Sequence, residues 1–190
     1  MKLRTVVSLS VMLVTFAAAP AVHADTMISG HAGKVFGGDL NDSRTTYGGA
    51  LTFMGDGAFG FEIEGGYTPD FFGDPDLVLG NNNVSTLMGN ILLGSRFGQS
   101  GRGGRVYASV GGGLLKSSAK SVDDFFDVSR NDFGVTGGVG AMGFFTDNLG
   151  VRGDVRYFRN IGDPEPDNEF DIDFGNFSFW RGTAGLVLKF

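Results

Sequence analysis

Five charged residues on two short stretches carry most of the chemistry this chain offers. Glu62 and Glu64 stand two apart, and Arg152, Asp154 and Arg156 repeat the same spacing. In an extended chain that spacing puts the side chains on one face. The residues between them are apolar or small: Phe61, Ile63 and Gly65 in the first stretch, Val151, Gly153 and Val155 in the second. Facing carboxylates and guanidinium groups make short, charge-assisted and often bidentate hydrogen bonds. Such a set suits charge pairing or ion passage. Nucleophilic catalysis needs a base beside a nucleophile. Beyond residue 24 the only histidine is His31, and the chain has no cysteine. No enzyme activity, no cofactor and no resident metal site is expected.

Alternation at a period of two runs through the chain and marks strands. At the C-terminus Phe190, Leu188, Leu186, Ala184, Gly182 and Trp180 are apolar or small, and Lys189, Val187, Gly185, Thr183 and Arg181 between them are mixed. Eight such segments can be counted, at 26–38, 45–54, 58–67, 85–97, 105–115, 132–145, 149–159 and 177–190. Lys34 breaks the phase of the first. The short connections contain Gly57, Gly101 and Asn148, whereas long ones span 38–44, 68–84, 117–131 and 160–176.

The first residues read as an export signal: Lys2 and Arg4, an apolar run over 6–19, then Val22, His23 and Ala24 before Asp25. The run is shorter than the roughly 20 apolar residues of a spanning helix. The reading is a signal over 1–24, cleaved after Ala24, and one domain over 25–190. No later stretch is long and apolar enough for a membrane helix. The 33 glycines among 190 residues lie inside apolar alternating segments, which marks close backbone approach in strands rather than disorder. A net charge of −6 argues against nucleic acid, which demands a basic face.

An even number of strands, with short turns at one end and long loops at the other, is the layout of an outer-membrane barrel. The expected fold is an all-β, eight-stranded antiparallel up-and-down transmembrane β-barrel, with both termini in the periplasm. Two aromatic girdles support it. Tyr47, Tyr67, Phe133, Tyr157 and Trp180 fall in the outward phase near the long loops, and Phe53, Phe59, Phe97, Phe145 and Phe190 near the short turns. The chain resembles the small eight-stranded outer-membrane barrels, the opacity-type porin family and the transmembrane domain of outer membrane protein A. The resemblance is carried by Gly60-Phe-Glu-Ile-Glu-Gly-Gly-Tyr67, Gly150-Val-Arg-Gly-Asp-Val-Arg-Tyr157 and Ala184-Gly-Leu-Val-Leu-Lys-Phe190. It implies that the last strand, with Leu186, Leu188 and Phe190, is the signal read by the barrel-assembly machinery. It implies a monomer in the outer membrane of a Gram-negative-type bacterium, among lipid and lipopolysaccharide. The fold hosts pores, adhesins and structural proteins alike.

In such a barrel the third and seventh strands stand opposite each other. Glu62, Glu64, Asp154 and Arg156 should then lie near mid-height, with Arg152 on the same face and Arg96 and Arg181 near the lower and upper ends, while His31 on the first strand is expected toward the periplasmic half. An eight-stranded interior is just wide enough for side chains to fill. The charges form either a salt-bridged plug or a gate whose re-pairing opens a thin ion path. Met88, Leu92, Tyr107, Met142, Phe144 and Phe158 in the lumen phase favour a plug, and the lumen glycines favour open volume.

The long loops are acidic. Asp163, Glu165, Asp167, Glu169, Asp171 and Asp173 alternate around Pro164 and Pro166, and Asp123, Asp124 and Asp127 flank Phe125 and Phe126. They read either as solvated loops or as oxygen ligands for Ca²⁺ or Mg²⁺ beside lipopolysaccharide phosphates. Phe71 and Phe72 are expected to pack on the barrel rim. The Gly138-Val-Gly140-Ala-Met-Gly143 run has no helix behind it, and the Arg and Asp of Arg152-Gly153-Asp154 point inward, so neither is a nucleotide or receptor motif.

Two functions follow: a narrow porin-like barrel passing small ions or solutes, or a non-conducting structural or adhesin-like barrel presenting acidic loops. The mature N-terminus is predicted at Asp25. Intact mass of the protein recovered from the outer membrane checks it, and a retained Met1 would overturn it.

Overall fold

The computed structural model describes residues 24–40, 42–55, 57–71, 79–99, 102–121, 127–161 and 177–190. Eight antiparallel strands follow in chain order: β1 (Ala24–Phe36), β2 (Arg44–Gly55), β3 (Phe59–Pro69), β4 (Leu79–Gln99), β5 (Arg102–Ser121), β6 (Asp127–Phe144), β7 (Leu149–Asn160) and β8 (Ser178–Lys189). Each pairs with its neighbours, and β8 pairs back onto β1, so the sheet closes into a barrel. Closure removes the open edges that lipid cannot hydrogen-bond. The termini of the barrel and the connections 56–58, 100–101 and 145–148 share one end, and the longer connections share the other.

The register sets the slant of the strands. One row runs Thr26, Phe53, Phe61, Ile91, Val110, Gly137, Tyr157 and Trp180, and returns to β1 at Phe36, ten residues above its start. Such a stagger forces the strands to tilt by about 35–45° from the barrel axis.

Sidedness is inverted relative to a water-soluble barrel. Phe59, Val110 and Val139 are 73%, 63% and 63% exposed, while Glu62 and Arg156 are 0% exposed. All eight alternating segments fall on strands, with the apolar phase outward. Lys34 lies in that outward phase and is exposed. Three strands are longer than the alternation predicts. β4 starts at Leu79, β5 runs to Ser121 and β6 starts at Asp127, so the connections at 70–78 and 122–126 are shorter than expected. The added residues of β5 and β6 pair in continuous register, from Ser117 against Arg130 to Lys120 against Asp127, whereas the start of β4 shifts register against β5 between Leu79 and Asn82.

Closure between β1 and β8 is directly testable, because Ala32 pairs with Ala184 and the native chain has no thiol. Directly opposed antiparallel residues fall within the Cα separation a disulfide spans. Ala32→Cys with Ala184→Cys is expected to crosslink under mild oxidant, with thiol titration falling to zero. Persistent free thiols in a folded sample would contradict a closed barrel.

Candidate functional site

The lumen is built from the second phase of each strand. β3 contributes Glu62 and Glu64, β7 contributes Arg152, Asp154 and Arg156, and β8 contributes Arg181. All six are buried. Arg156 lies at the centre. Its Nη2 donates to Glu62 Oε1 at 2.7 Å, its Nη1 to Glu64 Oε2 at 2.7 Å, and its Nε to Asp154 Oδ1 at 3.0 Å. Arg152 donates from Nη1 to Glu62 Oε2 at 2.5 Å and from Nε to Asp154 Oδ2 at 3.0 Å. Arg181 donates to Glu64 Oε1. Every carboxylate thus meets two guanidinium groups, and the six charges sum to zero.

Neutral groups fill the remaining valences. Thr52 Oγ1 donates to Glu62 at 2.8 Å and Tyr107 donates its hydroxyl to Asp154 at 3.2 Å. Asn90 and Thr183 add bonds of 3.4 Å to Glu62 and Asp154. His31 Nε2 stands 3.4 Å from Glu64 Oε1. The guanidinium planes also lie over rings, Arg152 over Tyr107 at 5.3 Å and Arg181 over Phe158 at 4.4 Å. Buried charge is tolerated only when paired and hydrogen-bonded in this way.

Apolar clusters close the network on both sides. Toward the long-connection end lie Val35, Phe71, Val84, Met88, Leu115, Phe158, Phe177 and Phe179. Phe158 and Phe179 stack at 5.0 Å, and Phe71 meets Phe179 edge-on at 5.1 Å. Toward the short-turn end lie Met27, Met54, Leu92, Tyr107, Met142 and Val187, with Phe144 against them.

Several expectations shift. Phe71 packs at the long-connection mouth of the barrel, turned inward against Phe177 and Phe179, while Phe72 lies outside the described residues. Arg96 does not join the central six: it pairs with Asp25 at 3.0 Å at the short-turn mouth, and its side chain is 46% exposed. His31 sits at mid-height beside Glu64, not toward the periplasmic half. The lumen glycines do not leave open volume. A Cβ on Gly66 would lie 2.6 Å from Arg181 Nη1, and one on Gly138 2.7 Å from Arg156 Cγ. These positions are bare because long side chains lie across them. Thr52, Asn90 and Thr183 belong to the network without having been singled out, and His31 joins it from a height the sequence did not indicate, although each shares the lumen phase of its strand.

Tyr47, Tyr67, Phe133 and Trp180 are exposed on the outer wall. Tyr157 pairs in register with Trp180, their rings 5.2 Å apart. Leu186, Leu188 and Phe190 are exposed along the last strand, and Phe190 N donates to Thr26 O at 2.9 Å. The acidic positions at 163–173 and Asp123, Asp124, Phe125 and Phe126 lie outside the described residues, as does the segment 1–23. Among the described residues, no grouping of His, Asp or Glu could hold a metal.

Comparison with known proteins agrees with this architecture. The model of the outer membrane protein beta-barrel domain matches residues 7–186. A 22 kDa outer membrane protein of Rhizobium leguminosarum bv. viciae is 30% identical over 185 residues, covering 90% of this chain and 80% of that protein. Neisserial surface protein A has a TM-score of 0.59 at 13% identity, covering 88% of this chain and 97% of that one. Ail, the attachment invasion locus protein of Yersinia pestis, scores 0.56 at 15% identity, covering 88% and 99%. At such identities the solved structures share the fold.

Arg156→Ala leaves each of the three carboxylates with a single guanidinium partner and the buried set one negative charge in excess, and is expected to cost about 3–5 kcal/mol in urea unfolding of the refolded barrel. Arg156→Lys should recover only a fraction of this, since one ammonium lacks the fork that reaches three acids. Gly138→Leu should cost about 1–3 kcal/mol by overpacking. Unchanged unfolding midpoints for all three would show the lumen to be loosely filled.

Proposed function

We propose a role for this chain, which belongs to the outer membrane protein beta-barrel domain family, from the layering of its interior. Apolar cluster, neutral ion-pair layer and apolar cluster succeed one another along the lumen. That layering is the observation that carries the reading: a barrel closed to ions and solutes, which acts as a rigid outer-membrane platform for surface contacts. An open pore needs a continuous wet path lined by polar groups, and here an ion would have to displace both apolar clusters as well as break the salt bridges. The porin-like alternative therefore asks for rearrangement at three levels. No chemistry in the lumen supports catalysis, since each carboxylate is held by two arginines.

In this reading the segment 1–24 is the export signal, and the short-turn end with both termini faces the periplasm. The long-connection end, with the acidic segment 163–173, faces the outside. Phe190, Leu188 and Leu186 on the final strand offer the assembly machinery its signal.

Two measurements test this. In planar bilayers, folded wild-type protein is expected to give no discrete conductance steps, and regular steps would establish the pore instead. On intact cells, Asp42→Cys at the long-connection end should react with a membrane-impermeant maleimide, whereas Asp147→Cys at the short-turn end should not. Both positions are exposed, and the reverse labelling pattern would invert the orientation.

A further inference from the structure

His31 is the one titratable group beside the charge layer that the arginine–carboxylate pairs leave unused. Its side chain is 4% exposed, and neither ring nitrogen makes a hydrogen bond among the described residues. Nε2 stands 3.4 Å from Glu64 Oε1, the same oxygen that Arg181 holds. From β2 the ring meets bare Gly48, where a Cβ would collide with Nε2. From β8 it meets Gly185, where a Cβ would press on the His31 stem. The charged groups that face it are therefore Glu64 on β3 and Arg181 on β8. Arg156, Asp154 and Arg152 on β7 and Glu62 on β3 follow through the ion pairs.

The six charges balance while the imidazole is neutral. Imidazole is the side chain that takes up a proton in mildly acidic water. A proton on His31 puts one positive charge in excess inside the layer and sets two cations on one carboxylate oxygen. Buried charge without a partner is costly, so one cation must give way. Arg156 has three carboxylate contacts and Arg152 two. Arg181 has one among the described residues, its Nε makes no bond, and its Nη1 reaches Thr86 Oγ1 only at 3.5 Å. It is the most weakly held of the three.

The contacts of Arg181 lead out of the layer. Its guanidinium lies over the Phe158 ring at 4.4 Å. Phe158 stacks on Phe179 with 5° between the ring planes, and Phe179 meets Phe71 and Phe177 at 5.1 and 6.1 Å. Phe71 stands at the root of the connection from β3 to β4, and Phe177 at the root of the connection from β7 to β8. We propose that His31 is a proton-operated switch: once protonated it takes Glu64 Oε1 from Arg181, and the released guanidinium resets the aromatic stack at the roots of these two connections. Acid is sensed at mid-barrel and expressed at the long-connection end. The two states are alternative pairings of one oxygen, and the proton shifts the balance between them. The apolar clusters slow proton entry without altering the equilibrium. The switch rests on the charge layer alone and stands whether or not the lumen conducts.

His31 is the only histidine beyond residue 24, so in residues 25–190, refolded in detergent micelles, one set of imidazole resonances reports it. An NMR titration from about pH 8 to about pH 5 should show a reversible imidazole transition. The amide resonances of Phe158, Phe177 and Phe179 should move with the same midpoint, and H31Q should hold them still. R181Q removes the competing cation, so the imidazole transition should move to higher pH. R181K keeps the charge without the fork and should move it the same way by less. Heat-dependent gel mobility confirms that each variant is folded. An imidazole with no transition in this range overturns the switch, as does a transition that leaves the three amides unmoved. Amide shifts that survive in H31Q trace to other acids and overturn it too. So does an unchanged midpoint in both Arg181 variants. None of these readings involves conductance, so the closed barrel stands or falls separately.

Discussion

The contacts of Arg156 with Glu62, Glu64 and Asp154 are the constraint on which the interior depends. A carboxylate taken out of water costs several kcal/mol unless it meets an opposite charge in good geometry. Three acids therefore call for three bases, and Arg152 and Arg181 complete the set from β7 and β8. The glycines opposite follow from the same demand, because guanidinium stems lie flat across the wall at Gly66 and Gly138. So do Thr52, Tyr107 and Asn90, which occupy acceptor sites the arginines leave over.

Outside, the solvent reverses the usual rule. Bulky apolar residues stand exposed because lipid, not water, surrounds the wall, and aromatic rings gather where hydrocarbon gives way to headgroups. The two surfaces are coupled through the pleat: a slip of one residue in any strand would turn its charges to lipid and its Leu and Val to the lumen. Register is thus held by both faces at once. That is a stronger specification than a one-sided sheet receives.

The barrel and its sidedness were legible because alternation is strong wherever one face meets lipid. The ends of β4, β5 and β6 were not. Asn81, Asn82 and Asn83, Ser117 and Ser118, and Ser129, Arg130 and Asn131 are polar in both phases, so strands that leave the apolar zone lose the pattern that marks them. The placement of Glu62, Glu64, Arg152, Asp154 and Arg156 in one phase was also readable, since charge inside an apolar alternation has few places to go. Arg96 shares that phase but lies near a strand end, where water competes for it, and phase alone carries no height. The height of His31 was hidden for a related reason: the ten-residue stagger lifts successive strands by an amount that only the register reveals. Phe71 followed a turn, and its inward path depends on Phe177 and Phe179, more than a hundred positions away.

That separation along the chain bears on how the barrel forms. Glu62 and Arg152 are 90 residues apart, and Glu64 and Arg181 117. Neighbouring strands can zip by local hairpins, but these ion pairs wait until the seventh and eighth strands arrive. Contacts of such high sequence separation make folding slow. Until they form, a half-built sheet carries acids with no partners, which hydrocarbon tolerates poorly. Completion of the charge layer thus rewards only the closed ring.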